Sequence, residues 1–494
     1  MLYAAHPGLS GLLPLCDDFF SEFGENMSNA DLFINETDYP DLPVADAVEH
    51  LRQALRCKTV SYTDTAKTDY SEFDRLHDVL KRAYPRIVSA ATWETTGYSL
   101  LITLPGSDEG LKPAVFMAHQ DVVPVKPGTF QNWRHEPFNG DLAEGYIWGR
   151  GAMDIKQMLI AHLEAAEYLL SRGKTPARSI IFAFAEDEET LSCGARRISD
   201  ILKNRGIEAE YVLDEGAGEV TDAADYGAPG ALVCPIGIYE KGYGDLRIGV
   251  RSRGGHSSDP FGGTSLGTLA RAIAAIVENP PPPKLNAALK DALKLLTPYI
   301  SEEPLRTWVN DTDLYENELL DYFMTKRSLY HQVSTTIAPT VINGGSPAAN
   351  VLPQDMYAVI NLRFAPQDTP ESVLAHIKKL IPPECELNWD QQIGASRPSE
   401  TDSLGFKTLR MVLEHYFDRL IFIPAQNKGA TDCRSYEQIS RCCLRFGPFL
   451  EEEEISAEGV HGTNERISVR AFAQGIRVIT KLMETTCMEE SLHA

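Results

Sequence analysis

Four apolar runs in this chain each end at a His, Asp or Glu, and that placement constrains the fold more than any other feature. They are VFMAHQD with His119 and Asp121, WGRGAMD with Asp154, AFAEDEE with Glu188 and Glu189, and YVLDEG with Asp214 and Glu215. The runs SIIFAFA at 179–185 and YVL at 211–213 are short and uniformly apolar, as expected of strands buried on both faces. Between the runs, Ile155, Met158, Leu159, His162, Leu163, Ala166, Leu169 and Leu170 recur at spacings of three and four, which predicts a helix over 155–171. Strands alternating with helices predict a mainly parallel, helix-covered sheet. The carboxyl ends of such strands line a ligand crevice, so the four endings are expected to meet there.

Each ending also has an ordinary explanation. A lone His-x-Asp or Glu–Glu is commonly a solvated pair, and Asp154 could simply cap the helix that follows it. The set is harder to explain that way, because several acids buried near strand ends without a cation would cost several kcal/mol per unpaired charge. Imidazoles and carboxylates together suit a divalent metal, and EGVHGTNE adds His461.

The chain has 494 residues, and single cores rarely grow past roughly 250–300, so more than one unit is expected. A larger α/β domain is read over 45–240 and 396–494, with residues 1–44 as an N-terminal arm. From about 241 the texture changes. GDLRIGVRS reads as a strand and LGTLARAIAAIV as a helix, and strands return near 334–343 and 355–364. Residues 241–395 are therefore read as an inserted α+β unit, itself carrying a helical insertion at about 284–333 after the break NPPPPK. The run EEEE at 451–454 is expected to be a solvated loop.

Net charge is −24, which argues against nucleic-acid binding, since a phosphate backbone calls for a basic surface. Nine cysteines without regular spacing suggest reduced thiols and a reducing compartment. The N-terminal stretch lacks the basic flank of a signal peptide and is too short to span a membrane. A cytoplasmic protein is the first expectation, with vacuolar and secreted placements left open. Glycosylation-like triplets at Asn26, Asn35 and Asn310 carry little weight without a secretion signal.

Read in order, MAHQDVVPV, NWRHEPFNGDLAEGYIWGRGAMDIK, DEE, LDEG, GGHSSDP, NVLPQDMYAVINLRF, TDCRSY and VHGTNE resemble the co-catalytic zinc metallopeptidase/aminoacylase family, which includes aminoacylase, carboxypeptidase S and the N-acyl amino acid hydrolase/synthases. The carboxypeptidase S branch is the nearest in appearance. The resemblance spans roughly residues 50 to 485. It implies a helix-covered mixed, mainly parallel sheet with an inserted α+β lid/dimerisation domain. It also implies two Zn²⁺ per subunit, with Mn²⁺ or Co²⁺ as substitutes.

The same resemblance implies roles for particular residues. His119, Asp154, Glu189 and His461 would bind metal, with Asp154 bridging, and the last carboxylate would come from Asp214 or Glu215. Asp121 would orient His119 through its other ring nitrogen, and Glu188 would be the general base. His256 would stabilise the oxyanion from a partner subunit. Asn350, Arg363 and Arg434 would bind the substrate carboxylate, with Thr431 and Asp432 in a nearby loop. The peptide bond Asp154–Ile155 would be cis. One departure is DEETLSCGA, a residue shorter than in many relatives and lacking their Gly pair, so the turn after Glu189 is expected to be reshaped.

The implied activity is hydrolysis of amide bonds in N-acyl amino acids or small peptides with a free carboxylate, or their formation in reverse. A catalytically inactive, metal-binding relative with a regulatory role is the alternative, and its mark would be a lost ligand or base. A thiol hydrolase built on Cys193 or Cys433 finds no nucleophile motif to support it. A small-molecule or short-peptide substrate is expected, with no membrane span and a homodimer formed through the lid.

Overall fold

In the large sheet, the strands run in the order Thr92–Thr96, Ser99–Leu104, Ile180–Ala185, Ala114–His119, Tyr211–Asp214, Cys443–Arg445, Ala228–Glu240 and Leu420–Asn427, with Thr221–Ala223 paired to Ala228–Glu240. This computed structural model describes residues 32–451 and 459–488; the triplet at Asn26 and residues 452–454 lie outside them. The centre of the sheet is parallel: Ala114–His119 pairs in parallel with both Ile180–Ala185 and Tyr211–Asp214, and the latter with Cys443–Arg445.

The uninterrupted apolar runs have a simple cause. Phe182 and Phe184 face the helix Lys156–Ser171, while Ile181, Ala183 and Ala185 face Ala195, Ile198 and Leu202 of the helix Cys193–Asn204. Side chains alternate across a strand, so two covered faces require apolar residues at every position. Helix Lys156–Ser171 is buried nearly all round, also against Val469–Cys487. No helix of the described residues is long and apolar enough to cross a membrane.

A second, antiparallel sheet runs Thr336–Gly344, Asp355–Arg363, Tyr243–Arg251, Cys385–Ile393. Its two central strands, Asp355–Arg363 and Tyr243–Arg251, alternate buried and more exposed positions, because helices Ser265–Glu278 and Pro370–Leu380 cover one face only. The helical stretch at 284–333 lies within the same sequence interval, yet it packs elsewhere. Leu289, Leu293, Leu296 and Phe323 bury against Ala228, Val233 and Ile423 of the large sheet. Residues 32–43 also pack on the body, with Phe33 bridged to Phe417. Glu451, expected in a solvated loop, is buried, and its carboxylate accepts the Ser468 N–H at 2.5 Å.

Candidate metal centre

Three neighbouring parallel strands deliver the acids to one edge of the large sheet: His119 ends one, Glu188 and Glu189 follow another, and Asp214 ends the third. His119 is buried, with Nε2 3.0 Å from Asp154 Oδ1 and 3.5 Å from Glu215 Oε1. The other oxygen of Asp154 lies 2.9 Å from His461 Nε2, which is 3.1 Å from Glu189. Two donor groups result, His119–Asp154–Glu215 and Asp154–Glu189–His461, each with ligand atoms within 4.8 Å of one another. They share Asp154, one oxygen to each. Asp154 does not cap the following helix, which starts from Ile155 without a side-chain cap. The Asp154–Ile155 bond is cis.

The electrostatics fit a cation. Burial opposes a charge on His119, but the Glu215, Asp121 and Asp154 carboxylates override it and raise the imidazole well above its ordinary value. Hydrogen bonds to Asp154 and Glu189 lift His461 to about 10. Burial pushes Glu215 up to about 7, helped by Asp154, and Asp214 up to about 6. Acids this crowded hold protons on imidazoles and on one another, and divalent ions would supply the missing positive charge.

The acid-rich loop after Ile180–Ala185 is fixed by Asp121. Its carboxylate accepts the backbone N–H of Glu188 at 3.2 Å, that of Glu189 at 3.1 Å, and Ser61 Oγ at 2.6 Å. His119 Nδ1 donates to the Asp121 main-chain oxygen at 2.9 Å, nearer than the carboxylate at 3.4 Å. Asp121 therefore orients His119 chiefly through its backbone, and its side chain serves the opposite loop. Ser61 carried no signal in the sequence. The turn after Glu189 closes on Asp187, whose carbonyl accepts from the N–H groups of Thr190, Leu191 and Ser192, and Ser192 takes a left-handed φ of 49°. Burial raises the Glu188 carboxyl well above its ordinary value; His119 opposes the shift, and Glu215 and Asp432 add to it.

Asp432 is buried beside this cluster, with both carboxylate oxygens lacking a partner among the described residues. Thr431 donates its N–H and hydroxyl to Glu240 Oε1, which also accepts Arg445 Nε at 2.6 Å. Arg434 lies 3.6 Å from Glu240 Oε2 and donates to the Gly394 carbonyl. Arg363 is exposed at the end of its strand, stacked over Tyr243 with Cζ 4.5 Å from the ring centroid.

His256 and Asn350 lie elsewhere. Gly255–His256 pairs with Val351–Leu352, and His256 Nδ1 contacts Ser258 Oγ at 2.8 Å. Both residues sit beyond the Arg251–Asp355 end of the second sheet, whereas Arg363 sits at the end that joins the large sheet. By strand geometry those ends are roughly 26 Å apart. One chain therefore does not bring Asn350 and Arg363 to the same carboxylate. Cys433 is buried and Cys193 exposed, and neither belongs to the two donor groups.

The family model described as Peptidase family M20/M25/M40 matches residues 115–485, which include every residue of both donor groups. The chain belongs to this peptidase family. It is 32% identical over 451 residues to the probable carboxypeptidase S-like 2 of Dictyostelium discoideum, covering 89% of this chain and 85% of that protein. It is 30% identical to the human N-fatty-acyl-amino acid synthase/hydrolase PM20D1, covering 88% of this chain and 87% of the relative. Among solved structures, the M20 metallo-carboxypeptidase Sso-CP2 of Sulfolobus solfataricus superposes with a TM-score of 0.61 at 18% identity, over 89% of this chain and 98% of that one. The M20 fold and the ordered donor residues make this chain a metal-dependent hydrolase of the carboxypeptidase/aminoacylase type.

Proposed function

We propose that this M20 hydrolase cleaves the amide bond of N-acyl amino acids or small peptides bearing a free carboxylate, and forms the same bond in reverse when the products accumulate. The observation that carries a two-metal site is Asp154, whose oxygens face His119 at 3.0 Å and His461 at 2.9 Å. His119, Asp154 and Glu215 would hold one ion, and Asp154, Glu189 and His461 the other. Two Zn²⁺ are the proposed occupants, with Mn²⁺ or Co²⁺ accepted by the same oxygen and imidazole donors. Bound there, such ions supply Lewis-acid polarisation of the amide and make water more acidic.

Glu188 takes a proton from water at its carboxylate and delivers it to the departing amine. Burial favours its protonated form, which suits the second half of that task. The exposed guanidinium of Arg363, near the crossing between the sheets, offers a fork for a carboxylate. Arg434 is already engaged with Glu240 and Gly394, so its part is to shape the loop that faces the substrate.

A homodimer through the second sheet accounts for His256 and Asn350. Its edge strand Thr336–Gly344 is exposed, Ile342 to 60%, and His256 is exposed at the end remote from its own acids. From there His256 would act on the partner's substrate, donating to the developing oxyanion. The eight free cysteines among the described residues support a reducing, cytoplasmic setting.

A substrate panel tests the reading. Purified protein, its chelated form and Glu188→Gln are assayed by mass spectrometry against N-acyl amino acids and dipeptides. Metal-dependent release of free amine is expected from the wild type only. A wild type that holds two metals and releases amine from no member would remove the proposal's support. For the trans role, mixing inactive His256→Ala with inactive Glu188→Gln should restore activity in exchanged dimers. No recovery despite measured subunit exchange would sink that assignment.

A further inference from the structure

Glu465 follows His461 in VHGTNE and is fully buried. Its Oε1 accepts three backbone N–H groups of the loop that ends in Asp154: Gly151 at 3.0 Å, Met153 at 2.9 Å and Asp154 at 3.2 Å. Its Oε2 accepts Arg150 Nη1 at 2.5 Å. Arg150 Nη2 in turn donates to the carbonyls of His461 at 3.2 Å and Gly462 at 3.0 Å. The guanidinium lies over Trp133, with Cζ 5.4 Å from the ring centroid. The main chain reinforces the junction, since Gly149 N–H donates to Glu465 O and Arg466–Ser468 pairs with Tyr146–Trp148.

Packing alone does not hold His461. Its side chain is 51% exposed, and its backbone takes a left-handed φ of 59°, which costs energy in a residue with a Cβ. The donors from Arg150 land on the carbonyl of His461 itself and on the next one. The carboxylate of Glu465 meanwhile gathers the N–H groups leading to Asp154. One ion pair thus joins two loops that are far apart in sequence, each carrying a donor of the same group.

We propose that Glu465 and Arg150 form a positioning pair that holds the His461 imidazole against Asp154 and so sets metal occupancy of the Asp154–Glu189–His461 group. This rests on the two-metal reading above. The other group depends less on the pair, because His119 and Glu215 are placed by strand ends. A glutamine at 465 would turn an amide NH₂ toward N–H donors on one side or the other and leave some of them unpaired. A lysine at 150 would keep the charge but could not fork onto two carbonyls.

The test is calorimetric titration of metal-stripped, full-length protein with Zn²⁺, with bound metal counted by mass spectrometry and folding followed by circular dichroism. Wild type is expected to take two equivalents. Glu465→Gln is expected to weaken one of them by about 10–100-fold and spare the other. Arg150→Lys should weaken the same equivalent by less, and it carries the test if Glu465→Gln does not fold. Unchanged affinity for both equivalents in a folded variant overturns the proposal, and so does an equal loss at both. A wild type that binds fewer than two equivalents overturns the two-metal reading and this pairing with it, and that result is visible before any variant is compared.

Discussion

Glu215 brings Oε1 to 3.5 Å from His119 Nε2. Asp214, its immediate neighbour, is buried at the strand end with Oδ2 unpartnered among the described residues, and it joins neither donor group. Glu215→Gln is therefore expected to lose one metal equivalent after dialysis, and Asp214→Asn to keep both. Elemental analysis of the dialysed proteins decides between them, and the reverse pattern would move the ligand to Asp214.

Glu188 reaches the site from a loop whose backbone is pinned by Asp121, and it belongs to neither donor group. Its replacement by glutamine should cut kcat by about 10²–10⁴-fold, the usual worth of a general acid–base. Metal content should stay at the wild-type level. Turnover that survives at the wild-type rate would assign the proton transfer to another group.

Ser61 donates to the buried Asp121 carboxylate at 2.6 Å. Hydrogen bonds to charged groups contribute about 1.5–3 kcal/mol, so Ser61→Ala should lower unfolding stability by an amount in that range. Urea melts measure it. Metal affinity should fall as well, because Asp121 holds the N–H groups of Glu188 and Glu189. A variant that is destabilised with unchanged affinity would confine Ser61 to a structural role.

His50 provides a pH-dependent contribution away from the metals. Burial opposes its charge, but Glu164 Oε1, 2.6 Å from Nδ1, prevails and raises the imidazole above its ordinary value. A raised folded pKa stabilises fully below the unfolded value of about 6.5 and loses that contribution as pH rises through the folded value. The stability advantage of wild type over His50→Gln should therefore shrink between about pH 6 and pH 8. Denaturant melts at both ends check it; a gap that is constant or widens with pH would refute the pairing.

Much of the fold is legible because burial is written locally. SIIFAFA reads as a strand with both faces covered and the stripe from Met158 to Leu169 as a helix seeking a core, and the structure has both. The helices of 284–333 show the limit of this reading. Their amphipathic pattern is plain, but a pattern says that a face is buried and not against what, and the partner proved to be Val233 and Ile423 of the large sheet. Glu451 shows the same limit, since a run of acids reads as solvated while its burial depends on a distant donor, the Ser468 N–H.

The sequence by itself offered the candidate donors, since His119, Asp154, Glu188, Glu189, Asp214 and Glu215 stand at or just after apolar runs and His461 in a motif, while their separate metal roles came only from the family resemblance. Tertiary structure alone shows that Glu215 approaches His119 Nε2 to 3.5 Å while Asp214 joins neither donor group. Two residues adjacent at a strand end project in different directions, and only the neighbouring strand shows which one meets His119. It also decided that the Asp121 carboxylate serves the Glu188 loop, that Arg363 and Asn350 stand at opposite ends of a sheet, and that Arg150 and Glu465 join across 315 residues. These are contacts between side chains brought together by folding, and local sequence carries no term for them.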